Sequence, residues 1–126
     1  MKKVALFAFN GEFMCFIHVL LNGLHLKQNG EEVKIVIEGS ATKLIPELSK
    51  EGNPMFQLYQ QAKEQNLIDG VCRACSAKME VASVVEKEGL PCAKGTSKTA
   101  LLYSQTTYSD LDVILTLAVV WCGSAD

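Results

Sequence analysis

Two cysteines separated by two residues stand in the segment GVCRACSAKM, residues 70–79. A CxxC pair of this kind occurs in four settings: a redox-active dithiol, half of a metal site, a sulfur carrier, or two small side chains that only pack. Cys72 and Cys75 differ in what precedes and follows them. The elements that must position them therefore decide which chemistry is open to each thiol.

The predicted position makes the two thiols unequal. Residues 67–71 are predicted to be a buried strand and residues 72–88 a helix, so Cys72 lies at a strand-to-helix junction. Backbone N–H groups and the helix dipole stabilise a thiolate there, and Arg73 adds positive charge nearby. Cys72 is predicted to be the exposed, reactive thiol. Cys75, one turn on and on the same side, is predicted to resolve a disulfide or persulfide on Cys72.

A metal site remains open as an alternative. A structural zinc site needs four N or S ligands and a catalytic one three, and the sequence has no second CxxC. Cys15 and His18 lie three residues apart in the first predicted helix and could supply the missing ligands. The first and third strands are expected to be neighbours in a doubly wound sheet, which would bring these residues to one cleft. The metal set would then be Cys15, His18, Cys72 and Cys75.

Other ionisable and sulfur-containing side chains have weaker claims. Glu38 ends the second predicted strand and could orient a thiol or an imidazole, although an acidic residue at a strand end is more often solvated. Cys15 and His18 also fit a simpler role as a core thiol and a partly buried imidazole. His25 is predicted to face solvent. The remaining cysteines, Cys92 and Cys122, are predicted to be structural or incidental.

Strands and helices alternate along the chain, which predicts an α/β domain with a mostly parallel sheet. The segment KVALFAF is apolar without alternation, which is typical of a strand buried on both faces. Asn29-Gly30 and Gly89 are predicted to end helices, and Pro46 fits only the first turn of one. Strands are predicted over 3–9, 33–37, 67–71 and 111–121, and helices over 12–28, 41–51, 54–65 and 72–88.

Composition excludes several classes of protein. The 126 residues suffice for one domain, and 48% are hydrophobic, which argues against disorder. A net charge of −2 without a block of like charges argues against a nucleic-acid or membrane-surface partner. Residues 10–12 interrupt the apolar N-terminal stretch, so neither a signal peptide nor a membrane helix is predicted. We therefore expect a cytoplasmic protein, in which five cysteines are more often reactive or metal-binding than bridged.

The loop after the first predicted strand does not resemble a nucleotide site. Its sequence, NGEFMC, has one glycine and lacks both the GxGxxG pattern and a Walker-type Lys-Ser/Thr pair. It also lacks the hydroxyl-rich loop with which flavodoxins hold a flavin phosphate. No cofactor is predicted.

These segments together resemble the DsrE/DsrF-like family, which includes sulfur-relay proteins. The resemblance covers roughly residues 1–91 and is carried by KKVALFAFNGEFMCFIHVLLNGLHL, VKIVIEGSATKLIPEL and LIDGVCRACSAKM. It implies a single domain over residues 1–126 with a flavodoxin-like three-layer fold, no flavin, and assembly into trimers, hexamers or hetero-oligomers. Residues 92–126 depart from the family pattern.

The resemblance also implies a function. In the sulfur-relay members, a cysteine at the strand-to-helix junction accepts a sulfane sulfur as a persulfide, and the matching position here is Cys72. The chain would then be an intracellular sulfur carrier or sulfurtransferase-like relay protein. Its partners would be sulfur donor and acceptor proteins or small persulfides. The alternatives are a metal-binding or redox-sensing protein that uses Cys15, Cys72 and Cys75, and an interaction protein whose cysteines only pack.

Overall fold

The sheet of this protein is parallel throughout. In the computed structural model, which describes residues 3–93 and 113–115, it has five strands in the order β4-β3-β2-β1-β5. The strands are β1 (Lys3–Ala8), β2 (Glu32–Ile37), β3 (Ile68–Cys72), β4 (Cys92–Ala93) and β5 (Val113–Leu115). The prediction of a flavodoxin-like α/β fold with a mostly parallel sheet is confirmed.

Helical segments connect the strands, as parallel pairing requires. They are α1 (Phe13–Gln28), a 3₁₀ helix (Gly39–Leu44), α2 (Ile45–Leu48), α3 (Phe56–Glu64), α4 (Arg73–Lys78) and α5 (Ala82–Lys87). No helix within the described ranges combines the length and the apolar character needed to cross a bilayer.

The core lies around β1 and β2. Every residue of β1 from Val4 to Ala8 is buried, which confirms that this strand is covered on both faces. The helix α1 turns its apolar side toward β2, and Gly23 allows the close approach. A Cβ added at Gly23 would lie 2.9 Å from Cδ1 of Ile35.

Two predicted helices are interrupted. The segment 41–51 divides into the 3₁₀ helix and α2, because Pro46 cannot continue a preceding helix and instead stands in the first turn of α2. The segment 72–88 divides into α4 and α5 at Glu80, whose φ of 60° is left-handed. The Val81 N–H donates to the Ser76 carbonyl at 2.9 Å, which closes α4 in a Schellman motif.

The strand order differs from the expected one. We predicted that the first and third strands would be neighbours, but β2 lies between β1 and β3 and pairs with β1 along the full length of both. The order reverses between β1 and β5 instead. The short strand β4 was not predicted. Of the strand predicted at 111–121, residues 113–115 form β5, and the rest lies outside the described residues.

A buried tyrosine joins α3 to the end of α5. The Tyr59 hydroxyl donates to Oε1 of Glu88 at 2.8 Å, and Nζ of Lys63 lies 3.0 Å from the same oxygen. Burial, together with the Glu88 carboxylate, raises the pKa of the Tyr59 phenol well above its usual value. The hydroxyl therefore stays protonated at neutral pH and remains a hydrogen-bond donor.

Tyr59→Phe should lower the free energy of unfolding by about 1–2 kcal/mol, because it removes a hydrogen bond to a charged acceptor. Urea denaturation at pH 7 measures the change. The matched control is Lys63→Met, which removes the partly exposed partner of the same carboxylate and should cost at most about 1 kcal/mol. A larger loss in Lys63→Met than in Tyr59→Phe would contradict the assignment.

Candidate functional site at the carboxyl ends of β2 and β3

Cys72 occupies the predicted junction. It is the last residue of β3 and the N-cap of α4. Its Sγ accepts a hydrogen bond from the Cys75 backbone N–H, with N and Sγ 3.4 Å apart, and its carbonyl accepts one from the Ser76 hydroxyl at 2.8 Å. These two hydrogen bonds hold Cys72 against the first turn of α4.

The predicted exposure of Cys72 is wrong. The residue is 7% exposed, whereas Cys75 is half-buried. The reason is that Cys72 still belongs to the sheet and pairs with Ala93 of β4, while Cys75 lies on the first turn of the helix that follows. Cys75 is therefore the more accessible of the two cysteines, and Cys72 is the more buried.

Cys75 lies among groups that keep its proton in place. Its pKa is raised above the usual value by burial first and by its hydrogen bond with Cys72 second. The backbone of Gly39 acts in the opposite direction, and the charge of Glu38 raises the pKa further. At neutral pH the Cys75 side chain is therefore a thiol. Within the described ranges, Cys72 and Cys75 are free cysteines, whereas Cys15 is disulfide-bonded.

The 3₁₀ helix forms one wall of the site. None of its residues was among the predicted site residues. Gly39 has a φ of +59°, and a Cβ there would lie 2.7 Å from the Phe9 carbonyl oxygen. The hydroxyl of Thr42, which is fully buried, lies 3.0 Å from the Gly39 carbonyl oxygen and 3.5 Å from that of Cys75. Gly39 thus joins this wall to the end of β1, and Thr42 joins it to α4. A glycine two residues after the end of a strand, followed three residues later by Thr, was the available signal.

Glu38 is the residue whose environment differs most from the expectation. A solvated carboxylate was expected, but Glu38 is 3% exposed and its Oε1 has no hydrogen-bond partner among the described residues. Its backbone N–H donates to the Ala8 carbonyl at 2.9 Å, which fixes the residue at the rim of the sheet. Burial raises the pKa of the carboxyl from 4.5 to about 7.

The structure brings together only part of the predicted set. Cys72 and Glu38 lie at the ends of adjacent strands, Cys75 lies on the first turn of α4, and Arg73 is exposed on the same helix. Three other residues considered in the sequence lie on α1, after β1: Cys15 is buried in the core, whereas His18 and His25 are exposed. Within residues 3–93 and 113–115, no three His, Cys, Asp or Glu side chains converge to hold a metal ion. The metal set of Cys15, His18, Cys72 and Cys75 is therefore not assembled.

Comparison with known proteins gives a family without an assigned activity. No family model matches the chain. An uncharacterized protein of Archaeoglobus fulgidus is 41% identical over 58 residues, which cover 46% of this chain and 93% of that protein. This chain belongs to the family of that archaeal protein. A second uncharacterized protein, MJ0733 of Methanocaldococcus jannaschii, is 34% identical over 65 residues, and the match spans about half of its length (51%).

A solved structure supports the fold. The crystal structure of the YchN protein from Escherichia coli aligns with a TM-score of 0.62 over 92% of this chain and 99% of that one, at 16% identity. YchN has a DsrE-like fold, so the alignment supports a DsrE-like fold for this chain as well. At this identity the likeness concerns the fold alone.

Proposed function

We propose that this protein is a sulfur carrier or sulfurtransferase-like relay protein, and that Cys72 holds the sulfur as a persulfide. The observation that carries the proposal is the Cys75 N–H directed at the Cys72 sulfur, with a second free thiol one turn away. The DsrE-like fold of YchN supports it, because that fold is one of sulfur-relay proteins.

Loading is a thiol exchange that requires no net oxidation. The Cys72 thiolate attacks the outer sulfur of a donor persulfide, R–S–SH. A bond forms between Sγ and that sulfur while the donor S–S bond breaks, giving Cys72–S–SH and the donor thiolate RS⁻. An acceptor thiolate then attacks the outer sulfur in the same way, takes the sulfur as its own persulfide, and restores the Cys72 thiolate.

The low exposure of Cys72 restricts the donor. The whole Cys72 residue is only 7% exposed, so an extended cysteine persulfide or a small persulfide would reach it more readily than a folded surface would. We therefore propose donors and acceptors of those two kinds. The oligomeric state, with trimers or hexamers implied by the resemblance, and the cytoplasmic location remain predictions.

Exposure of the protein to a small-molecule persulfide donor, followed by intact-mass analysis, tests the proposal. Cys75→Ser should gain and keep the mass of one sulfur atom, wild type should gain it until Cys75 displaces it, and Cys72→Ser should gain none. Addition of an acceptor thiol should then remove the gained mass, as expected of a carrier.

Two outcomes would overturn the assignment. Absence of any adduct would exclude persulfide formation by this route. An adduct that survives in Cys72→Ser and is lost in Cys75→Ser would move the sulfur to Cys75. Metal analysis of protein purified without added metal supplies an independent check, because near-stoichiometric zinc or iron would favour the metal-binding alternative.

A further inference from the structure

Glu38 has a buried oxygen that no residue in the described ranges satisfies. The residue is only 3% exposed, and Oε1 makes no hydrogen bond with any described residue. Burial of a carboxyl without a full set of partners lowers stability. Such groups are uncommon in folded proteins, and each calls for a physical explanation.

The sheet register places Glu38 at the thiol site, because Ile37 pairs with Val71 and the residues that follow these two are Glu38 and Cys72. The Glu38 charge acts on the Cys75 sulfur, and so does the backbone of the next residue, Gly39. The 3₁₀ helix that begins at Gly39 is tied to α4 by the Thr42 hydroxyl, which lies 3.5 Å from the Cys75 carbonyl oxygen. Adjacent residues at the end of β2 thus act on the same sulfur, and the unpartnered oxygen belongs to one of them.

We propose that Glu38 is the base that takes the proton from the Cys75 thiol when Cys75 attacks a persulfide on Cys72. The inference rests on the proposed function for its persulfide. In this step the Cys75 sulfur bonds to Sγ of Cys72 and the Cys72 S–S bond breaks. Hydrosulfide, HS⁻, leaves with the electron pair, and the proton of Cys75 passes to Glu38. The products are a Cys72–Cys75 disulfide and a neutral Glu38, and an external dithiol reductant then restores both thiols.

The protonation states suit this division of roles. Burial places the pKa of Glu38 near 7, so the carboxylate is present at neutral pH, whereas Cys75 retains its proton there. The charged side chains on the adjoining helices and loop are Lys43 of the 3₁₀ helix, Arg73 and Lys78 of α4, and Glu12 before α1, and all four are exposed. Burial is the cause of the raised pKa of Glu38, and the pKa stays at about 7 in the presence of these exposed charges.

Release of sulfide from pre-loaded protein tests the step. The protein is loaded with a small persulfide donor and freed of donor, and sulfide and disulfide formation are then followed between pH 5.5 and 9. In wild type the rate should rise with pH through about 7 and then level off, because the carboxylate is the active form. Glu38→Gln should be slower by about tenfold or more at pH 7.5 and should lack that rise. Cys75→Ser, the control, should release no sulfide by this route.

A second measurement separates chemistry from disturbed structure. Iodoacetamide reacts with whatever thiolate is present and needs no base. In a Cys72→Ser background, Glu38→Gln should therefore speed alkylation of Cys75 at pH 8, because no carboxylate opposes the thiolate. A substitution that only loosened the structure would not both slow sulfide release and speed alkylation of Cys75.

The outcomes distinguish this inference from the proposed function. If wild type and Glu38→Gln release sulfide at the same rate and with the same pH profile, Glu38 is not the base. If no variant loads sulfur, the relay function itself fails. In that case the alkylation rate of Cys75 still tests whether Glu38 acts on this thiol. Equal rates in Cys72→Ser with Glu38 and in Cys72→Ser with Glu38→Gln would overturn the inference.

Discussion

Replacement of Gly39 by alanine is expected to lower the free energy of unfolding by about 2–5 kcal/mol. An L-residue in the left-handed region costs about 1–2 kcal/mol. The new Cβ would also lie 2.7 Å from the Phe9 carbonyl oxygen, a backbone atom that cannot turn aside as a flexible side chain can. Overpacking of this kind adds about 1–3 kcal/mol.

Urea denaturation of Gly39→Ala measures the loss, and Gly52→Ala is the matched control. Gly52 has open space around its Cα and no left-handed backbone, so alanine there should leave stability within about 0.5 kcal/mol or raise it slightly. Equal effects of the two substitutions would contradict the close packing of the 3₁₀ helix against β1. Because Gly39 also acts on the Cys75 sulfur, Gly39→Ala should change the alkylation rate of that thiol as well.

Glu38→Gln is expected to stabilise the protein by up to about 3 kcal/mol at pH 8 and to change little at pH 4. The pKa of Glu38 rises from 4.5 to about 7 on folding, so the carboxyl is neutral in both states below 4.5. Stability is therefore full below pH 4.5 and is lost as pH rises through about 7, where the unfolded chain is ionised and the folded site resists ionisation. At about 1.36 kcal/mol per pKa unit, this shift gives the expected size.

Unfolding in urea at pH 4, 6 and 8 tests this expectation, with Glu47→Gln as the control. Glu47 is an exposed glutamate on α2, and its replacement should leave the pH dependence of wild type intact. If Glu38→Gln lost as much stability between pH 4.5 and 8 as wild type does, the burial of the Glu38 carboxyl could not be the cause of that loss. The combination of higher stability and slower sulfide release would identify Glu38 as a residue retained for activity at a cost in stability.

Helix ends show what local sequence can and cannot predict. Gly30 and Gly89 mark the ends of α1 and α5, and both have the left-handed backbone that glycine adopts readily. The end of α4 has the same hydrogen bonds, but its left-handed residue is Glu80, which carries no such signal. Burial of Val81, together with its N–H bond to Ser76, stabilises this turn. Tertiary packing therefore interrupts a segment whose local pattern predicts one helix.

The site was predictable as far as it depends on one junction. An apolar run followed by a helical pattern was enough to place Cys72, because both signals are local. Which of the candidate partners, Glu38, Cys15 and His18, lies near the thiols was not predictable, because this depends on which strands pair. With β2 between β1 and β3, the end of β2 brings Glu38 to the thiols, while Cys15 and His18 follow the more distant β1. Strand order depends on long-range contacts, and sequence periodicity does not encode it.

The position of β1 between β2 and β5 has a consequence for synthesis of the chain. All residues of the thiol site precede Ala93, whereas β5 begins at Val113, so a ribosome releases the complete site before the last partner of β1. At about 5–20 residues per second, one edge of this apolar strand stays open for seconds. Open apolar edges recruit other strands, so crowded nascent chains of this protein are most prone to aggregate during that interval.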